Sequence, residues 1–266
     1  MTAAPTVTSE YSTLTPLQIR LATHRDHSLY PDNPIVTVLE ALALTGAEDI
    51  ADIGCGDGRF LAHLATSGHA GRIVGADNSP AMVAAAAAIT GVDAYRCDAT
   101  ALPFLADTFD VVTARHMLYH LPDPHAALTE FARITRPGGR VAVTVNHPGT
   151  AARTREVIEN RARQHGIEPA SELVNTVNST TLPDIMTRVF GAVDIVRFDN
   201  ALVFTEPAPL IRFATSLFAF CGITENHPAR DEITAAAAAD ITDWFATRPG
   251  QQFRDPKGYI LATATI

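Results

Sequence analysis

Residues 50–59 read Ile50-Ala51-Asp52-Ile53-Gly54-Cys55-Gly56-Asp57-Gly58-Arg59. An apolar strand leads in, and an amphipathic helix carrying Phe60, Leu61 and Leu64 leads out. A strand that turns at once into a helix needs residues that take positive φ and let a ligand approach the backbone. Glycine does both. The helix start presents N–H groups with no partner inside the helix. The stretch is therefore a ligand-binding turn at the carboxyl end of a parallel strand, where open α/β sheets bind their ligands. A dinucleotide turn, Gly-x-Gly-x-x-Gly, would place glycine at position 59. Arg59 stands there, which argues against a nicotinamide oxidoreductase.

Strand and helix patterns alternate on either side. Pro16–His24 and Ile35–Leu44 read as helices, the second ended by Gly46. Arg72–Ala76 is a second strand, ending in Asp77, and Ser79 then caps a helix with Pro80 at its first position and Gly91 just past its end. Val92–Cys97, ending in Asp98, and Phe109–Thr113 are the third and fourth strands. Asp123 starts a helix through Ile134, Arg136-Pro137-Gly138-Gly139 breaks it, and Arg140–Val145 is the fifth strand. This alternation means βαβ units and a parallel sheet. Beyond Asn146 the regularity loosens: helices over Ala151–His165, Leu182–Phe190, Pro209–Phe220 and Asp231–Thr247, a sixth strand over Val193–Phe198, an extended piece at Ala201–Phe204, and a final strand over Tyr259–Thr265. Residues 1–15 are Thr/Ser/Ala/Pro-rich and read as loose.

Composition narrows the function. The chain of 266 residues is 47% hydrophobic and 18% charged, enough for a substantial core. A net charge of −9, with no basic run, argues against nucleic acid as a partner. Three cysteines, Cys55, Cys97 and Cys221, have no metal-ligand spacing, so no metal is expected and a reducing, cytoplasmic location is. The first residues lack a signal-peptide pattern, and the longest apolar run, Ala81–Ile89, is too short to span a bilayer.

The Asp-x-Gly-x-Gly-x-Gly turn resembles the first motif of the class I S-adenosylmethionine-dependent methyltransferases. Phe109–Asp123 and Arg136–Arg140 are similar to the small-molecule methyltransferases of the ubiquinone-biosynthesis type, so the resemblance covers roughly residues 48–146. It implies a Rossmann-like α/β fold: a seven-stranded sheet, mostly parallel with an antiparallel last strand, helices on both faces and helical cap insertions. It also implies S-adenosyl-L-methionine as cofactor. Residues 1–34 would then be an N-terminal lid segment and 35–146 the cofactor-binding core. Residues 147–266 would complete the sheet, with cap insertions at 147–181 and 206–250.

Three acids, Asp52, Asp77 and Asp98, belong to three successive strands. A carboxylate after the second strand can accept two hydrogen bonds from ribose hydroxyls, as it does in dinucleotide folds. On the resemblance, Asp77 takes the ribose, Asn78 and Met82 flank the adenine, Asp98 accepts from its amine and Ala99 offers a backbone N–H. Asp52, Gly54, Cys55, Gly56 and Arg115 complete the cofactor set. Each acid alone would serve equally as a strand-end or cap residue.

Methyl transfer is an in-line displacement that depends on positioning. It needs a base only where the acceptor keeps a proton. His116 and His120, after the fourth strand, are the candidates, and His147, after the fifth, is a further option. His63, His69, His125, His165 and His227 read as solvated. Tyr11, His24, Arg25, His27 and Tyr30 are lid candidates or ordinary turn residues. Apolar residues in the insertions (Ile211, Phe213, Leu217, Phe218, Phe220, Trp244, Phe245) suit an aromatic or apolar substrate, or equally a cap core or a homodimer interface. The expectation is methyl transfer to O or N of a small organic acceptor, as in secondary metabolism. The alternative is a protein that keeps the cofactor but acts as a cyclase or scaffold.

Overall fold

A computed structural model describes residues 15–168 and 176–266. Tyr11 and the expected loose start lie outside the described residues. Contacts divide the chain into two compact units. One contains residues 15–32, 149–168 and 199–258, and the other 33–148, 176–198 and 259–266.

The second unit holds the sheet. Its strands are β1 (Ile50–Ile53), β2 (Ile73–Asp77), β3 (Val92–Arg96), β4 (Phe109–Arg115), β5 (Thr135–Asn146), and parts of β6 (Asp194–Phe204) and β7 (Phe253–Thr265). The order is β3-β2-β1-β4-β5-β7-β6. The pairs from β3 through β5 are parallel, and β5 meets β7 antiparallel, Asn146 opposite Tyr259. This is the seven-stranded, Rossmann-like arrangement that the family resemblance implies.

Both faces of the sheet are buried, as parallel sheets require, and side-chain alternation divides its residues between two cores. Ala51, Ile53, Val112, Val143 and Ile260 pack with α5 (Pro124–Ile134) and α7 (Leu182–Phe190). Ile50, Val111, Ala142 and Leu261 pack with α2 (Pro34–Leu42) and α3 (Arg59–Thr66). Asp52 and Thr113 share the parity of that second face, so a polar pair lies among apolar neighbours.

Several boundaries differ from expectation. The helix over 34–42 ends before Gly46, because Ala43 itself takes the left-handed cap (φ 42°). The helix after Ser79, α4 (Pro80–Ala87), stops at Ala88, well short of Gly91, and the Ser79 side chain makes no cap bond. Arg136–Gly139 does not break away but runs inside β5, where Thr135 pairs with Phe109 across a register shift. The two extended pieces near 200 form the single strand β6.

The first unit is helical, with α1 (Thr15–Asp26), α6 (Ala152–Gln164), α8 (Pro207–Ser216) and α9 (Arg230–Ala246). Phe213, Leu217 and Phe218 are buried in its core, and Ile211, Phe220, Trp244 and Phe245 pack against them. These residues thus contribute to the core of the helical unit.

Candidate active site

The glycine turn is built by three successive demands on the backbone. Gly54, Gly56 and Gly58 have φ of 71°, 57° and 80°. At Gly54 a Cβ would stand 2.6 Å from Met117 Cγ, and at Gly58 it would stand 2.6 Å from Ile89 Cδ1. At Gly56 it would meet nothing within 4 Å among the described residues, so the middle of the turn faces space that they leave open. Gly58 begins α3 without a side-chain cap. The turn's own donors are engaged. Gly54 and Cys55 N–H donate to Ala76 O (2.7 and 3.1 Å), and Gly56 N–H to Asp77 Oδ2 (3.1 Å). Arg59 folds back onto Asp57 (2.8 Å), leaving no dinucleotide-type third glycine.

Asp77 ends β2 beside this turn. Its other oxygen accepts from Ser79 N–H (2.9 Å). Burial pushes its carboxyl above the usual range, and the backbone donors of Ser79 and Gly56 pull it back. A desolvated carboxylate with lone pairs to spare suits two incoming hydroxyls. Asp98 is exposed and accepts from Thr100 N–H and Oγ1 (2.9 and 2.8 Å). Asn78 is exposed and Ala99 buried. Met82 is 1% exposed.

Asp52 is 0% exposed. It accepts from Thr113 Oγ1 (2.7 Å) and from Arg115 Nε and a terminal nitrogen (3.2 and 2.7 Å). The Arg115 guanidinium lies 4.6 Å from the centre of the Phe60 ring. This buried fork holds β1, β4 and α3 together under the turn. Nothing in the spacing of the sequence marked Thr113 or Phe60 as members. Cys55 is buried, and burial with the Asp52 and Asp77 charges pushes its thiol far up, so it is inert as a nucleophile.

Beyond β4 the chain turns sharply over the glycines. His116 takes φ 54°, rare outside glycine, and its N–H donates to Thr144 O (2.8 Å). Met117 covers Gly54, so this loop sits on the turn. His120 closes a short 3-10 turn (Leu118–His120), its ring edge-on to Tyr119 at 4.6 Å. His147 is 8% exposed, and its Nε2 donates to Phe198 O (3.0 Å). The structure thus gathers Gly54, Cys55, Gly56, Asp77 and the 116–120 loop at the carboxyl edge of the sheet.

Residues 51–143 match the methyltransferase domain family. This stretch is a class I S-adenosylmethionine-dependent methyltransferase domain. Demethylmenaquinone methyltransferase of Mycolicibacterium vanbaalenii is 42% identical over 104 residues, which make up 39% of this chain and 44% of that protein. The chain thus spans under half the length of the curated relatives it matches. Two solved structures share the fold. The [4+2]-cyclase SpnF aligns over 100% of this chain and 98% of its own, with 20% identity and a TM-score of 0.59. Phosphoethanolamine N-methyltransferase 2 of Haemonchus contortus, solved with S-adenosyl-L-methionine, aligns over 95% and 57%, with 18% identity and a TM-score of 0.56.

The methyltransferase domain's cofactor is S-adenosylmethionine, and its residues fit that group: open space over Gly56, and the under-solvated Asp77 next to it. Four lid candidates, His24, Arg25, His27 and Tyr30, belong to the other unit. There His24 packs edge-on to Phe213 (6.0 Å), Arg25 pairs with Asp26 (2.7 Å), and Tyr30 is 63% exposed, its backbone held by Asn200. His27 stacks on Phe204 (4.9 Å). Among the described residues no group of three or more His, Cys, Asp or Glu could hold a metal.

Proposed function

We propose that this chain transfers a methyl group from S-adenosylmethionine to an oxygen or nitrogen of a small organic metabolite. The observation that carries the reading is Asp77, tied to the Gly56 N–H beside open space at the carboxyl edge of the sheet. S-adenosylmethionine, when bound, supplies an electrophilic methyl group. Asp77 would take the ribose hydroxyls, Asp98 the adenine amine, and the Asp52–Arg115 fork would keep the turn in shape. His116 would take the proton of a hydroxyl or amine acceptor, from a loop whose Met117 already touches the turn. A net charge of −9 supports a small acceptor over nucleic acid. Three free cysteines support work in a reducing compartment such as the cytoplasm.

Calorimetric titration of S-adenosylmethionine and S-adenosylhomocysteine, with NADH as control, tests the reading. Wild type should bind both and ignore NADH. Asp77→Ala should weaken binding by about 2–4 kcal/mol, since two hydrogen bonds to a charged group are lost. Unchanged affinity in a folded variant would overturn the ribose role. The cyclase alternative shares only the fold with its structural neighbour. Absence of S-adenosylhomocysteine on turnover of a true substrate would favour it. His116→Ala should lower kcat by 10²-fold or more, the usual range for general-base loss, with cofactor affinity unchanged. An unaltered rate would remove His116 from the reaction.

A further inference from the structure

The sheet unit carries a cluster of aromatic rings of its own. At its carboxyl edge Tyr259 stands opposite Asn146, at the end of β5. The Tyr259 ring is buried and its hydroxyl lies 3.1 Å from Thr37 Oγ1, so the ring plane is fixed at both ends. Phe198 stacks on it at 4.7 Å and 20°, and is itself half-buried. His116 meets Tyr259 edge-on at 5.9 Å. His147 donates from Nε2 to the Phe198 carbonyl. A carbonyl oxygen only accepts, so Nε2 carries the proton.

We propose that Phe198, Tyr259 and His116 form the wall that receives a planar aromatic or heteroaromatic acceptor, and that His147 is a positioning residue that sets the plane of Phe198. The word acceptor rests on the transfer reading above; the wall itself does not. Three features converge on this assignment. Phe198 is stacked on the buried Tyr259 ring and keeps part of its own surface accessible, and offset stacking is the arrangement aromatic rings prefer. His116, the residue held at positive φ, brings a polar edge to the same pair; a non-glycine residue kept in that region marks a place where the surrounding structure insists on a direction. His147 is engaged through Nε2 with the Phe198 carbonyl, which gives it a holding role at the backbone of that residue. An aliphatic acceptor of the same size would gain nothing from the ring planes.

Two probes separate the possibilities: 2-naphthol and its saturated counterpart decahydro-2-naphthol, which keeps the hydroxyl and loses the π faces. Both are titrated into the full chain, with and without saturating S-adenosylhomocysteine. Wild type should prefer 2-naphthol. Phe198→Leu should weaken 2-naphthol by about threefold to tenfold, the worth of one aromatic pair, and leave decahydro-2-naphthol alone. His147→Leu should weaken 2-naphthol in the same way, and His147→Gln, which still donates to the carbonyl, should restore it. A merely structural histidine would not show that rescue. Equal binding of the two probes, or indifference of 2-naphthol to Phe198→Leu, overturns the wall while S-adenosylhomocysteine binding leaves the transfer reading standing. Failure of S-adenosylhomocysteine to bind overturns the transfer reading instead, and the titrations without it still decide the wall.

Discussion

At the scale of single residues the site rests on two acids doing opposite work. Asp77 is held by backbone donors alone at the carboxyl edge of the sheet; Asp52 is held by side-chain donors and is sealed from solvent. The sequence shows both as acids near strand ends and cannot rank them. Asp52 finds Thr113 because the two are register partners across β1 and β4, and a register is a long-range fact. Arg115 then follows on the same face of β4. Removing the cation should be costly, because a carboxylate at 0% exposure keeps its charge with only Thr113 to answer it. Arg115→Met is expected to lower stability by about 3–5 kcal/mol, read from urea unfolding. Adding Asp52→Asn should recover part of that loss. A loss under about 1 kcal/mol in the single variant would mean that the fork contributes little.

At the scale of elements, the strand–turn–helix was legible because each of its parts follows a local rule. The apolar run of β1, the alternate glycines and the apolar spacing of α3 need no partner to be read. The failures have one cause. Arg136–Gly139 looks like a stop, yet Gly138 N–H donates to Ile266 O and Ile266 N–H to Gly139 O, so a distant strand end holds it in the sheet even though Gly138 takes φ 80°. Asp199-Asn200 looks like a break in β6, but the strand passes through it. The glycines themselves make a paired test. Gly56→Ala carries only the φ penalty, about 1 kcal/mol, and puts a methyl into the open space where the cofactor belongs. Gly58→Ala adds overpacking against Ile89 and Ala86, about 1–3 kcal/mol more. Melting and S-adenosylhomocysteine titration, run side by side, should show Gly56→Ala as the folded non-binder and Gly58→Ala as the less stable of the two. The reverse ranking would contradict the packing described here.

At the scale of the whole molecule, each unit carries its own sensitivities. In the helical unit, burial first, then Lys257 and Arg20 against the opposing pull of Asp32, lower the His24 pKa to about 4. Its folded value thus lies below the unfolded one. The imidazole is neutral in both states above pH 6.5. Between pH 6.5 and about 4 only the unfolded chain takes up the proton, so stability falls across that window and levels off below it. His24→Gln should therefore lose about 2 kcal/mol less than wild type between pH 7 and 4.5, measured as urea unfolding at both values. Equal losses would place the acid sensitivity elsewhere. The sheet unit carries a different exposure, one of time. Residue 146 of β5 is paired with residue 259 of β7, and Val141, Val143 and Val145 between them are buried apolar. A ribosome adding about 5–20 residues per second needs roughly 6–20 s to deliver that partner. For that interval a finished apolar strand has one bare hydrogen-bonding margin, the surface on which unrelated nascent chains join. Cells making this protein quickly will therefore depend on chaperone cover during elongation.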